Sequence, residues 1–167
     1  MNKVNQRNEI SSIGANETGM TNQAEGEVVG YYLAYPGILP SNLLYPVKMA
    51  RDRVNVMLTY GQKAKAEKML LFADKRIATA SILFFENKSE MAIGIAFKAE
   101  EYSFRAAKSI VYLTEDISQL KQQMVQSNLK HAEILREIES KLSAQIPDNF
   151  RAALDYNTRT RELLQEN

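Results

Sequence analysis

The single histidine of the 167-residue chain is the first side chain to test for chemistry, because imidazole titrates near neutral pH. Helical bundles often hold di-iron sites built from Glu-x-x-His pairs, but the residue three positions before His131 is Asn128. The chain has no cysteine, which excludes thiolate catalysis, disulfides and cysteine-ligated zinc. It also has no Gly-x-Ser-x-Gly nucleophile elbow. The sequence therefore predicts a protein that is not an enzyme, with no catalytic residue, no cofactor and no metal.

His131 lies seven residues from both Met124 and Ile138, which places it near the apolar stripe of a predicted helix. Two interpretations stay open for it. In the first, His131 is a partly buried structural residue with local hydrogen bonds. In the second, it is a pH-sensitive group. A metal in the core is not expected, because the inward-facing positions of the predicted helices are apolar.

Nucleic acid and nucleotides have no support as ligands in this sequence. The chain has 21 basic and 20 acidic residues in an interspersed pattern, which gives no electrostatic reason to propose nucleic acid. Neither Gly-x-x-x-x-Gly-Lys nor Gly-x-Gly-x-x-Gly occurs, so nucleotide binding has no support. The runs "ARDR" at 50–53 and "ADKR" at 73–76 predict ion pairs on the helix surfaces, or a cross-helix network if the first two helices are antiparallel.

Apolar spacings of three and four residues predict the elements that position these side chains. The predicted helices cover about 44–60, 62–86, 89–113, from 114–117 to 144, and 148–164. The fold class is all-α: an antiparallel up-and-down bundle of four to five helices, preceded by an extended strap rich in Pro and Tyr and by a disordered N-terminal tail. The buried side of the first helix is predicted to consist of Val47, Ala50, Val54, Met57 and Leu58.

Local signals predict where the helices begin and end. Ser41 or Asn42 is expected to cap the first helix, or Pro46 to occupy its first helical position, and Gly61 to end it. Ser89 and Thr114 are the cap candidates of the third and fourth helices.

The composition of the sequence divides the chain into three predicted regions. Residues 1–27 are polar and predict a disordered tail or linker, 28–43 predict a strap that packs on the bundle, and 44–167 form the bundle. No stretch reaches the roughly 20 apolar residues that span a bilayer, and the N-terminus has no apolar signal core. An anchor upstream of this chain stays open as an alternative.

The stretch "YPGILPSNLLYPVKMARDRV" at 35–54 resembles the entry segment of DUF5667, a bacterial domain family of unknown function. The runs "KAEKMLLFADKRI" at 65–77, "FKAEEY" at 97–102 and "IPDNFRAAL" at 146–154 are similar to later helices of that family. The spacer 42–44 lacks the proline that members often carry, and the helices are richer in Phe and Met. The resemblance implies a helical domain placed after a signal or membrane anchor, outside the cytoplasm, without established catalytic residues.

The predicted function is a helical interaction or structural module that binds an unknown protein partner or itself, with no nucleic acid. Tyr35 and Tyr45 are expected to bury their rings and keep their hydroxyls in water. Leu71 and Phe85 lie off the main face of their helix, where they either widen the core or form an exposed groove for a partner helix or lipid. The alternative function is a carrier or sensor that binds an apolar ligand or lipid in the core. The candidate interaction surface consists of Tyr35, Pro36, Pro40, Tyr45, Leu71 and Phe85.

Overall fold

The computed structural model describes residues 30–40, 42–114, 116–142 and 145–166. The tail predicted over 1–27, the first positions of the strap and the cap candidate Ser41 lie outside these residues.

Five helices account for most of the described chain, which contains no β-strand. They are α1 (Tyr45–Leu58), α2 (Gln62–Phe85), α3 (Ser89–Ile110), α4 (Ser118–Lys141) and α5 (Asp148–Glu166). The all-α prediction is confirmed, and each helix lies where the apolar period placed it. The third and fourth helices are shorter than predicted, because the chain leaves the helical path at Val111 and resumes it at Ser118.

The predicted caps were less accurate than the helices. Pro46 is the second residue of α1, one position later than predicted. Ser89 is the first residue of α3 rather than its cap, and Thr114 lies four residues before the start of α4. The carboxylate of Asp116 accepts a bond from the Ser118 N–H at 3.0 Å at the start of α4. Gly61 does not end α1 but precedes α2, with a positive φ of 87° that only glycine adopts without strain.

Helices α2 to α5 run alternately up and down around one core. The start of α2 meets the end of α3, the start of α4 and the end of α5 in one apolar cluster, whose members include Met69, Leu70, Ala106, Ile110, Leu120, Met124 and Leu164. The opposite ends of the same helices form a second cluster, which includes Ile77, Ala80, Ile93, Ala96, Leu135, Ile138 and Phe150. α3 packs mainly against α2 and α5 and touches α4 only marginally, so α3 and α4 are consecutive without being principal neighbours.

α1 lies outside this core, and the prediction for its buried side was wrong. Val47 is 66% exposed and Met57 70% exposed, and Ala50, Val54 and Leu58 are exposed as well. The buried residue of α1 is Asp52, on the side that meets α2. A three-four apolar spacing marks one face of a helix but does not say what covers that face. Here the four other helices already enclose the core.

The strap approaches the bundle through a few side chains. Leu33 packs against the second apolar cluster, and the Tyr31 hydroxyl donates to Asp74 of α2 at 2.6 Å. Tyr35 is 83% exposed, so the prediction that its ring is buried was wrong. Its neighbour Pro36 is buried, and the Pro36 carbonyl accepts a hydrogen bond from the Lys48 ammonium.

Candidate functional site

The middle of the bundle holds buried polar side chains between the two apolar clusters. Each of the four core helices contributes at least one of them. We call this set the buried polar cluster: Asp74, Glu100, Ser127, Asn128, His131 and Asn157.

His131 is the centre of the buried polar cluster, and its side chain is 0% exposed. Its Nδ1 lies 2.7 Å from Glu100 Oε1, and its Nε2 lies 3.1 Å from Asp74 Oδ1. Burial alone would lower the pKa of His131, but the charge of Glu100, the hydrogen bonds to both carboxylates and the charge of Asp74 raise it to about 9. At neutral pH the ring is therefore an imidazolium that donates to a carboxylate on each side.

The two carboxylates have further donors. Asp74 accepts from the Tyr31 hydroxyl and, at 2.5 Å, from Ser127 Oγ. Glu100 Oε2 accepts from Asn157 Nδ2 at 3.0 Å. Burial, the hydrogen bond to Asp74 and the charge of Asp74 together raise the pKa of Tyr31 to about 12. The strap is thus tied to the same cluster that joins α2, α3 and α4.

Asn128 and Asn157 join α4 to α5 by reciprocal bonds. Asn128 Nδ2 donates to the Asn157 carbonyl at 3.0 Å, and Asn157 Nδ2 donates to the Asn128 carbonyl at 3.3 Å. A helix carbonyl can accept a second bond from a side chain, so neither helix loses its own backbone ladder. The Asn157 side chain also receives a bond from Arg161 at 3.3 Å. The two polar residues Asn157 and Arg161 of α5 are therefore partners of each other.

The ionisable groups of the buried polar cluster are enclosed and bonded to each other. Both ring nitrogens of His131 are occupied by carboxylate oxygens, and the cluster is closed to solvent. Within the described ranges, no group of three or more His, Cys, Asp or Glu side chains is arranged to hold a metal ion.

Sequence reasoning found His131 but missed its partners. It treated the inward positions as apolar, whereas Asp74 and Glu100 point inward from α2 and α3. The interpretation of His131 as only partly buried and locally bonded was also wrong. One signal was available: each acid directly follows a stripe residue, Ala73 or Ala99, so each lies at the edge of the inward face.

The candidate surface residues do not form one site. Tyr35, Pro36 and Leu71 border a common groove of about 520 Å³ between the strap and α2. Pro40 and Tyr45 are half-buried and do not line this groove. Phe85 is exposed at the far end of α2, where the Lys141 ammonium lies 4.4 Å from its ring centroid.

A second surface was not expected. The exposed apolar residues of α1 follow a heptad repeat: the first and fourth positions of two successive heptads are apolar. We call this row the α1 seam: Val47, Ala50, Val54 and Met57. In the same heptad, Arg51 and Arg53 occupy positions that flank the seam. Both arginines are exposed.

A family model described as "Domain of unknown function (DUF5667)" matches residues 37–145, well over half of the sequence. The chain belongs to this family. No curated protein and no solved structure matches it. In the parts of the chain that the structure describes, none of the helices combines the length and the apolar character needed to cross a bilayer.

Proposed function

We propose that this DUF5667 chain is a non-catalytic interaction module that binds an acidic amphipathic helix of a partner protein through the α1 seam. One observation carries the proposal. Four helices bury their apolar stripes against each other, while α1 presents an apolar stripe of the same kind to solvent. An exposed, regularly spaced apolar row of this kind is typical of helix-binding surfaces.

The flanking charges favour one kind of partner. In paired helices, the residues beside the seam set partner choice by their charge. In an antiparallel pair of identical α1 helices, each of the arginines Arg51 and Arg53 would lie beside its own counterpart, which disfavours a second copy. A partner helix with Glu or Asp beside its own seam would instead pair with these arginines. Charge complementarity of this kind also speeds encounter.

The non-catalytic part of the proposal has separate support. The titratable groups of the buried polar cluster are enclosed and paired with each other. Their arrangement joins four helices, which suits a rigid scaffold for a binding surface.

The proposal is tested with two designed peptides of equal length and apolar pattern, one with Glu beside its seam and one with Lys. Fluorescence anisotropy at constant ionic strength should show saturable binding of the acidic peptide only. The double variant V54K/M57K should remove that binding, and M91K, at an exposed position of α3, is the matched control. Equal binding of both peptides would contradict the proposal, as would unchanged binding by the double variant. A wild-type dimer that V54K/M57K dissociates would show a second copy to be the occupant.

The carrier alternative has one specific observation in its favour. An apolar pocket of about 260 Å³ lies at one end of the bundle, lined by residues that include Ala107, Ile110, Leu113, Ile117 and Leu164. A ligand retained there would add a discrete mass in native mass spectrometry of the purified chain. A107F, which fills the pocket, should remove that mass. A spectrum that shows only the mass of the chain would count against this alternative.

The place of the domain in the cell is part of the proposal as well. The family resemblance implies an extracytoplasmic domain, and the polar composition of 1–27 suits a tether between an anchor and the bundle. Fractionation of the native cells with mapping of the endogenous N-terminus tests this placement. A cytoplasmic protein that starts at Met1 would contradict it.

A further inference from the structure

A cleft between α1, α2 and α3 gathers positive charge. It consists of two adjoining cavities of about 450 and 300 Å³ that share Arg53, Lys98 and Tyr102. Both volumes lie in or near the range of small-molecule sites. We call this feature the basic cleft, after its cationic lining residues Arg53, Lys65, Arg76, Lys98 and Arg105.

The charge of the basic cleft is not balanced locally. Its lining includes a single acid, Glu101, which already pairs with Lys98 at 2.8 Å. The whole chain carries 21 basic and 20 acidic residues, so the excess in the cleft reflects position rather than composition. Converging cations repel each other most where low-dielectric walls exclude water, and the same walls strengthen attraction for an anion.

Arg76 is the deepest of these cations, with 5% of its surface exposed. Its Nη1 donates to the Phe72 carbonyl at 3.1 Å, and its guanidinium carbon lies 4.1 Å from the centroid of the Tyr102 ring. Its Nε is buried without a hydrogen-bond partner. No carboxylate within the described residues forms an ion pair with Arg76, because Asp52, the buried acid of α1, pairs with Arg51.

An arginine in this state costs folding free energy. A buried charge without a counter-ion is destabilising, and the guanidinium does not give up its proton to relieve the cost. Its planar fork matches the oxygens of a carboxylate or phosphate. An anion in the cleft would neutralise Arg76 and the surrounding cations together.

We propose that the basic cleft binds a small organic oxyanion, a phosphate or carboxylate attached to an apolar body. Arg76 is the deep contact of the anionic group, and Arg53 and Arg105 approach it from α1 and α3. The apolar body packs against Tyr102 and the methionine side chains that line the cleft, such as Met57 and Met69. This site goes beyond the helix-binding function, because it takes a small molecule. It lies between α1, α2 and α3, whereas the α1 seam belongs to α1 by itself. Binding would fasten α1 to α2 and α3.

The test uses the full chain with four probes: phenyl phosphate, benzoate, inorganic phosphate and phenol. Isothermal titration at constant ionic strength, together with the melting temperature, reports binding. Phenyl phosphate or benzoate should bind at one site and raise the melting temperature, and the stronger of the two identifies the anionic group. Inorganic phosphate should bind more weakly because it lacks the apolar body. Phenol should not bind, because it lacks the charge.

Variants then locate the site. R76M should weaken binding by about tenfold to a hundredfold, the effect of losing a charged hydrogen bond. The melting temperature of the ligand-free R76M chain should stay level or rise, since the change removes an uncompensated buried charge. R53Q and R105Q, both at exposed positions, should weaken binding several-fold and serve as the decisive variants if R76M does not fold. R151Q on α5 is the matched control and should bind as the wild type does.

Three results would overturn the proposal. One is the absence of saturable binding by both organic anions. Another is binding that R76M, R53Q and R105Q leave unchanged. The third is an R76M chain that melts earlier while binding normally, which would make Arg76 a structural residue held by the Phe72 carbonyl and the Tyr102 ring.

Discussion

Raising the pH through about 9 should destabilise this protein, because His131 then loses its proton. His131 lies between Glu100 and Asp74, which hold its pKa at about 9 against an ordinary value of 6.5. A raised pKa means that the folded state binds the proton more tightly than the unfolded state does. The stabilising contribution is therefore complete below about pH 6.5 and is lost as the pH rises through about 9. Above that pH, a neutral ring separates two buried carboxylates.

The magnitude follows from the size of the shift. Each pKa unit corresponds to ~1.4 kcal/mol, so a shift from 6.5 to about 9 corresponds to roughly 3 kcal/mol. The His131 side chain is 0% exposed, so solvent does not screen this interaction. Small domains have total stabilities of about 5 to 15 kcal/mol, and the loss should therefore be a large part of the whole.

Urea unfolding at several values between about pH 6 and pH 9.5, at constant ionic strength, measures this loss. Two other groups do not produce it. The raised pKa of Tyr31, about 12, costs stability only above its ordinary value of 10.0. Burial lowers the pKa of Lys48, and its titration adds stability as the pH rises, so the measured decline is a lower bound. The chain has no cysteine and no second histidine that would titrate in the same pH range. A free energy of unfolding that stays flat or increases from pH 6.5 to 9 would refute the reasoning.

Three further substitutions probe the buried polar cluster. Y31F removes the hydroxyl that joins the strap to α2 and should lower the free energy of unfolding by about 1 to 3 kcal/mol. Y32F, at an exposed ring, should change it little. Chemical denaturation compares the two variants, and equal effects would show that the strap bond is not stabilising. N157A removes the side-chain bonds to Glu100 and to the Asn128 carbonyl and should cost about 2 to 4 kcal/mol by the same assay. D155A, whose ion pair is on the surface, should cost less than about 1 kcal/mol, and similar costs for the two variants would contradict a stabilising role of those bonds. E100Q should lower the pKa of the histidine, which NMR titration of its ring protons would detect, and an unchanged titration would mean that another charge sets that pKa.

The helices were predictable from the sequence because their signal is repeated. Each core helix carries an apolar residue at every third or fourth position over several turns, so a single misjudged residue changes nothing. Helix ends depend on one or two side chains, and these compete with each other. At the start of α4, Asp116 rather than Thr114 accepts the backbone N–H, and nothing in the local pattern separates the two.

The buried polar cluster was not predictable by the same means. Asp74 and Glu100 each follow an alanine of the apolar stripe, where a carboxylate at the edge of a face most often turns to solvent. Whether it turns inward depends on a partner from another helix, here His131, which is 57 residues from Asp74 and 31 from Glu100. The prediction that the apolar stripe of α1 is buried was wrong for a related reason. Periodicity reports the face of one helix, while burial depends on where the others pack.

The cost of the buried polar cluster suggests what it contributes. Replacing buried ion pairs by apolar residues is often neutral or stabilising, so stability alone is a weak reason for placing an imidazolium and two carboxylates in the core. The apolar stripes around the cluster are rich in alanine, such as Ala73, Ala80, Ala96 and Ala106, and small side chains resist sliding and rotation of neighbouring helices poorly. The buried polar cluster does resist sliding and rotation of these helices. A displacement of α2, α3 or α4 by one residue would leave a buried charge unpaired, which costs far more than a change in apolar contacts. The reciprocal asparagine bonds extend the same restriction to α5, and Tyr31 extends it to the strap. We infer that the cluster fixes one register of the bundle and, through Tyr31, holds the strap in place on it.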